Sequence, residues 1–213
     1  MFFKDSDPTY WAVQPRVLRQ EFDKLIRGRF EDGDIRHLSV FGLAPIPLLM
    51  ELGRLISDIS DTDVYEKHRE PDQWAWPEDG EEVSFITQRG TEGPKRVALK
   101  LSITSQISDD RITGAVGTDV SIWEIKSTPQ KHGVIRHKED LSRFRTIVRS
   151  TLDEIKNVHG MDVELMVFPA MPVSCSVEFG RVWQPKAHPD IHIYDQTKDQ
   201  GFLQRMTLAG GAT

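Results

Sequence analysis

The chain has 213 residues, of which 38% are apolar and 28% charged, and its net charge is −6. That is the composition of a water-soluble globular protein with room for one large or two small domains, and the acidic balance argues against a non-specific surface for nucleic acid or anionic membrane. One cysteine, Cys175, excludes an internal disulfide and a cysteine-rich zinc site and suits a reducing cytoplasm; there is no apolar run of the roughly 18 residues a membrane span needs and no signal-peptide pattern.

Met1 to Tyr10 reads as a polar arm or linker remnant. Val17, Leu18, Phe22, Leu25 and Ile26 recur at helical spacing, with Gly28 placed to end the helix. Leu38 to Gly42 is a short buried strand, Ala44-Pro-Ile-Pro47 a loop, and Leu49, Met50, Leu52, Ile56 and Ile59 carry a helix to Asp61. Gly53 lies inside that helix, where glycine costs roughly 1 kcal/mol against alanine, so another backbone is expected to come close there. Val64 to Arg69 is a second strand, and Trp74 and Trp76, two apart, face one way in an extended segment.

Val83 to Arg89 and Val97 to Thr104 read as strands, with Thr91 to Pro94 as a hairpin connection. In the second of these, Val97, Leu99, Leu101 and Ile103 alternate with Ala98, Lys100, Ser102 and Thr104. Ser105 to Thr118 is a polar loop, Val120 to Lys126 a strand and Ser127 to Gly133 a loop. Leu141, Phe144, Val148, Leu152 and Ile155 mark a long amphipathic helix closed by Gly160. Val163 to Phe168 is a buried strand; Pro169-Ala-Met-Pro172 breaks it, and Ser174 opens a helix through Arg181. Trp183 to Pro189 connects to strands at Ile191 to Tyr194 and Phe202 to Leu208, with Ala209 to Thr213 as a tail.

One unit occurs twice. Val40, Phe41, Pro45, Glu51, Gly53 and Arg54 match Val167, Phe168, Pro172, Glu178, Gly180 and Arg181 at an offset of 127, six identities in sixteen ungapped positions. The alignment extends to Asp63-Val64 against Asp190-Ile191. Strand, tight loop and helix is the arrangement that sets a helix N-terminus over the carboxyl end of a sheet.

Three stretches carry a family resemblance: HLSVFGLAPIPLLMELGRLISD at 37–58, WAW at 74–76 and VFPAMPVSCSVEFGRVWQPKAHPDIHIYDQ at 167–196. They resemble the SAVED domain, the sensor module of bacterial anti-phage (CBASS) systems that signal with cyclic oligonucleotides. The likeness runs from about residue 10 to 208. It implies an α/β fold of two fused CARF-like, Rossmann-like halves related by a pseudo-twofold, within a sensor domain of residues 11–208, with halves at about 11–126 and 127–208. It implies a cyclic di- or trinucleotide ligand made by a partner nucleotidyltransferase, with no cofactor and no metal. It also implies a fused or associated effector and homo-oligomers through SAVED–SAVED contacts. The chain resembles most the sensor half of an HNH-type endonuclease effector; with no effector pattern of its own, it reads as an excised or free-standing sensor. A cyclic dinucleotide is the favoured ligand.

Such a ligand needs N–H donors and cations for its phosphates and flat faces for its bases. The candidates are Ala44, Pro45 and Ile46 in the first loop and Phe168, Pro169, Ala170, Met171, Pro172 and Ser174 in the second, against the alternative of tight core turns. Trp74 and Trp76 are stacking candidates or core. Lys100, Ser102 and Ser105 are phosphate or base contacts, or a solvated strand face. Arg181, like Arg54, is an anion ligand or the partner of a glutamate one helical turn away; Tyr194, at a strand end, is a candidate to line the cleft. Lys131, His132, Arg136, His137 and Lys138 read as a solvated loop or an oligomer contact. Cys175, at a helix start, is a weak nucleophile candidate, and the strand geometry around His188 and His192 does not favour a shared metal. Beside the sensor stand a ring nuclease that cleaves its ligand and a nucleotide-independent oligomerisation module; the absence of acid/base residues from both loops favours the sensor.

Overall fold

The computed structural model describes residues 4–57, 59, 61–77, 79–197 and 200–210. The expected ends at residues 1–3 and 211–213 lie outside that range. Asp7 caps helix α1 (Pro8–Phe22), its carboxylate accepting from the Thr9 N–H at 2.8 Å. A π-helical turn (Asp23–Arg27) and a last turn α2 (Gly28–Glu31) continue the same path. The helix therefore starts within the expected arm and runs through Gly28, whose φ of −58° is helical and gives no left-handed stop.

Strand β1 (Leu38–Val40), helix α3 (Ile46–Leu55) and strand β2 (Thr62–Val64) follow, with β1 and β2 forming a two-stranded parallel sheet. β1 is half-exposed rather than buried, because among the described residues it pairs only with β2. The helix ends at Leu55, short of the expected Asp61. The strand expected over 64–69 is divided: β2 stops at Val64, and β3 (His68–Arg69) turns back on β4 (Asp72–Gln73).

Then come β5 (Ser84–Gln88), β6 (Arg96–Ser102), α4 (Asp109–Val116), β7 (Ser121–Thr128), α5 (Lys138–His159), β8 (Glu164–Ala170), α6 (Val173–Val182), β9 (Ile191–Thr197) and β10 (Gly201–Leu208). The six strands from β5 onward make one sheet in the order β10-β9-β8-β6-β7-β5. Its centre is parallel and its two outer strands antiparallel. The hairpin expected between β5 and β6 does not form: β7 lies between them. β6 is buried along nearly its whole length and needs a neighbour on each side, whereas β5 alternates exposed and half-buried and suits an edge. The sheet joins strands on both sides of residues 126 and 127.

The stretch 105–118 is not all loop. Ser108 precedes α4, Asp109 and Asp110 occupy its first turn, where acidic side chains complement the helix dipole, and Ile112 is fully buried. This helix covers the sheet face carrying Ala98, Met166 and Phe168, while α5 and α6 cover the face carrying Val97, Leu99, Leu101, Leu165 and Val167.

The internal repeat is a pseudo-twofold. Helices α3 and α6 pack against each other. A Cβ added to Gly53 would lie 1.9 Å from the Val177 carbonyl oxygen, and one on Gly180 would lie 1.9 Å from that of Met50. Residue 50 corresponds to 177 and 53 to 180, so the twofold maps the contact onto itself. Each helix carries a buried glutamate held by two arginines. Glu51 accepts from Arg54 and from Arg19 of α1; Glu178 accepts from Arg181 and from Arg145 of α5. The repeat thus also equates α1 with α5. It shifts register after the helix: Val40 pairs with Val64, and Val167 with Ile193 rather than Ile191. The link over residues 183–190 is two residues longer than that over 56–61, which moves the match from Asp190-Ile191 to His192-Ile193. Tyr65 then corresponds to Tyr194, and both stack on the repeat-related phenylalanine, Phe41–Tyr65 at 4.5 Å and Phe168–Tyr194 at 4.6 Å between ring centres.

Candidate ligand-binding cleft

A cleft of about 690 Å³ opens at the carboxyl ends of β6, β7 and β8, closed on the far side by the β2–β4 connection and by Leu43. Open α/β sheets bind ligands at this end of their strands. Thr104 follows β6; Lys131, His132, Gly133 and Arg136 follow β7; Met171, Pro172 and Val173 follow β8; Glu66, Lys67, Arg69 and Glu70 come from the first half. Lysines and arginines outnumber carboxylates four to two among these residues.

The loop after β7 is held from below. The Asp140 carboxylate accepts from the Arg136 and His137 N–H groups, each at 2.9 Å, and the Gln130 amide donates to the Ser102 carbonyl at 2.7 Å. The Arg136 guanidinium is tied to Asp79 at 2.7 Å, which holds the Asp79 carboxyl below its ordinary range. Lys67 pairs with Asp72 and lies 5.7 Å from the centre of the Trp74 ring. Among the described residues, Arg69, Lys131 and His132 are exposed at the rim and have no side-chain partner.

Beside the cleft is an aromatic cluster. Phe41 stacks on Tyr65 and meets Trp74 edge-on at 5.3 Å; Trp76 stacks on Tyr65 at 6.3 Å and meets His68 edge-on. Trp74 and Trp76 are half-buried, and Phe41 is 51% exposed.

The α6 N-terminus, an expected phosphate anchor, is already engaged. The Ser174 N–H donates to Glu66 Oε2 at 3.0 Å, and its hydroxyl donates to the same oxygen at 2.5 Å. Glu66 is 7% exposed, and burial lifts its carboxyl to about 6 against the pull of these hydrogen bonds. The N-terminus of α3 is also not in the cleft: Ala44 faces a groove along α1 with Val17 and Leu18, and only Leu43 of that loop reaches the cleft. Pro45 precedes the first turn of α3, with Ile46 half-buried.

Of the other candidates, Met171 and Pro172 line the cleft, while Pro169 and Ala170 are the last two residues of β8 and do not. Ser105 is exposed next to Thr104. Lys100 and Ser102 are not on a solvated face. Lys100 is 6% exposed under α4, with its ammonium 2.6 Å from Asp109 and 3.4 Å from Glu124, and the Ser102 hydroxyl donates to Glu124 at 2.6 Å. Phe168 is fully buried between Tyr194 and Phe202. Arg181 pairs with Glu178 at 3.1 Å and lines a separate pocket of about 350 Å³ with Lys138, Arg145 and Arg149. Lys131, His132 and Arg136, read from sequence as solvated, are brought to the cleft together with Arg69; charges on a loop carry no local signal of what they face.

Cys175 is fully buried, and burial pushes its thiol well above the ordinary range, with Glu66 and Glu178 adding to the shift. That is the reverse of an activated nucleophile. The His188 ring accepts from the Gln184 N–H, and His192 faces Thr207. No group of three or more metal-binding side chains gathers among the described residues, and no described helix is long and apolar enough to cross a membrane.

The model of the SMODS-associated and fused to various effectors sensor domain, SAVED, matches residues 18–208. The chain belongs to the SAVED family. In fold, this SAVED domain is similar to the Acinetobacter baumannii Cap4 SAVED/CARF-domain containing receptor, solved with the cyclic trinucleotide 3'3'3'-cAAA, at 16% identity and a TM-score of 0.68 over 95% of this chain. The same receptor with 2'3'3'-cAAA matches at 16% identity and 0.62 over 89% of this chain. In both, the match spans 44% of the receptor's length. No curated protein sequence matches the chain.

Proposed function

We propose that this SAVED domain is a sensor that binds a cyclic oligonucleotide second messenger in the cleft without consuming it. The observation that carries the reading is the cleft's position and charge: unpaired cations from both halves meet at the carboxyl ends of the parallel strands, beside an aromatic cluster. The solved relatives with cyclic trinucleotides support the ligand class. Within it, a cyclic dinucleotide is the first ligand to try and cyclic triadenylate the second. In this reading a partner nucleotidyltransferase makes the ligand in the cytoplasm. Binding shifts contacts between neighbouring SAVED domains, and that assembly switches on a fused or associated effector, an HNH-type DNA endonuclease being the first choice. The sensor comprises residues 11–208.

Calorimetric titration with a panel of cyclic di- and trinucleotides tests it, with the recovered ligand checked by mass and the oligomeric state followed by sedimentation. Submicromolar binding of one member, recovered intact, with growth of the assembly, is expected. Linear product would move the domain to the ring-nuclease reading, and assembly indifferent to every nucleotide would leave an interaction module.

A further inference from the structure

The two donors of Ser174 both go to Glu66 Oε2, and among the described residues Oε1 has no donor. Glu66 is more than nine-tenths buried yet belongs to the cleft wall. Its neighbours along that wall, Leu43, Met171 and Val173, are apolar. Oε1 is not one of the fully buried atoms without a partner; it opens on the cleft, where a neutral N–H is favoured over any anion.

From this arrangement we infer that Glu66 reads a base: Oε1 accepts a hydrogen bond from the amino group of a ligand ring, and the phosphates stay outside, at Arg69, Lys131 and His132. This rests on the cyclic-oligonucleotide reading of the cleft. It also reverses the orientation expected from sequence, in which phosphate meets the α6 N-terminus. That N-terminus holds the Glu66 carboxylate, and a phosphate beside it would set two negative charges together in a partly dry wall. The unpaired cations lie at the rim. A flat ring between Leu43 and the Met171–Val173 segment, with its amino edge on Oε1, satisfies both the apolar wall and the unpaired oxygen. The carboxylate thus favours adenine, guanine or cytosine, which carry such an amino group, over uracil, whose one Watson–Crick-edge N–H is flanked by two carbonyl oxygens that repel a carboxylate.

The test uses the whole chain at pH 7.5, where Glu66 is ionised. The tightest ligand of a panel of cyclic di- and trinucleotides bearing all four bases is compared with its analogue lacking the ring amino group: purine for adenine, hypoxanthine for guanine, pyrimidin-2-one for cytosine. In the wild-type protein, removing the amino group is expected to weaken binding by about tenfold or more. In Glu66→Gln the amide oxygen keeps the Ser174 N–H and turns the amide N–H toward the cleft, so the same removal changes binding by less than about threefold. Replacing Arg69 and Lys131 by alanine is expected to weaken every member alike and flatten the salt dependence. An amino effect below about twofold in the wild-type protein, or a tightest ligand made only of uracil, overturns the inference while leaving the cleft reading intact. Absence of binding by every member removes the cleft reading itself, and this inference with it. The wild-type comparison needs no variant, so it stands even if Glu66→Gln folds poorly.

Discussion

Gly53 and Gly180 pack across the crossing of α3 and α6, each with its Cα against the backbone one turn before the other's position. Alanine at either site would place a methyl 1.9 Å from a carbonyl oxygen, and no rotamer change can relieve a backbone clash. Gly53→Ala and Gly180→Ala are each expected to cost about 3 kcal/mol in urea unfolding, and to cost the same within about 1 kcal/mol, because the contact is symmetric. Gly28→Ala is the control: a Cβ there meets nothing within 4 Å, so it is expected to stabilise by about 1 kcal/mol. Unequal losses at 53 and 180 would mean that the two helices do not cross on a twofold.

Glu51 and Glu178 are 0% and 1% exposed, each between two arginines. Glu178→Ala leaves Arg145 and Arg181 facing one another without their shared anion, and a loss of about 3 kcal/mol is expected; Glu51→Ala should match it. A double-mutant cycle pairing Glu178→Ala with Arg145→Ala measures the link between α5 and α6 directly. A coupling near zero would show that the ion pair across the helices carries nothing.

The pH dependence of stability isolates Glu66. Its carboxyl stands at about 6 in the folded protein against an ordinary 4.5. The native state therefore holds the proton more tightly than the unfolded chain. This contribution is full below pH 4.5 and is lost as the pH rises through 6, about 2 kcal/mol for a shift of this size. His68 and His188, lowered by burial, act in the opposite sense, losing stability as the pH falls. The readout is therefore the difference between wild type and Glu66→Gln. Relative to wild type, the variant should gain about 2 kcal/mol between pH 4 and pH 7.5. A flat difference would mean that Glu66 titrates as an exposed carboxylate does.

Lys100 separates structure from binding. Lys100→Met removes the cation that Glu124 and Asp109 share beneath α4, and is expected to cost about 3 kcal/mol while ligand affinity stays within about twofold. The Arg69→Ala, Lys131→Ala pair should do the reverse, sparing stability because both side chains are exposed. Lost affinity in Lys100→Met at unchanged stability would return Lys100 to the ligand.

The same residues show how far sequence could reach. The buried run of β8, the apolar alternation of β6, the helices that follow β1 and β8 and the paired glycines are local patterns that the fold keeps, although the helix after β1 stops at Leu55 and not at Asp61. Lys100 and Ser102 read as ligand contacts or as a solvated strand face as long as Ser105 to Thr118 reads as loop; Ser108, Asp109, Asp110 and the four-residue spacing of Ile112 and Val116 carry the signal of α4. Once a helix covers that face, alternation of apolar and polar residues marks two buried sides. Glu66 had no such signal: it caps a helix 108 residues further along the chain, and nothing near residue 66 records that. The rim cations belong to the same class, since their meeting depends on the fold and not on spacing.

Phe41 and Phe168 occupy the same place in the two copies and stack on equivalent tyrosines. Phe168 is shut in because Phe202 of β10 closes over it, whereas Phe41, just after β1 of the two-stranded sheet, meets no such strand among the described residues and stays 51% exposed. The asymmetry lets two repeat-related modules divide their labour: the copy inside the large sheet spends its aromatic pair on cohesion, and the other keeps an open ring next to a basic rim. Any ligand stacking there meets a surface made by subtraction, the omission of one covering strand, rather than by adding a specialised residue.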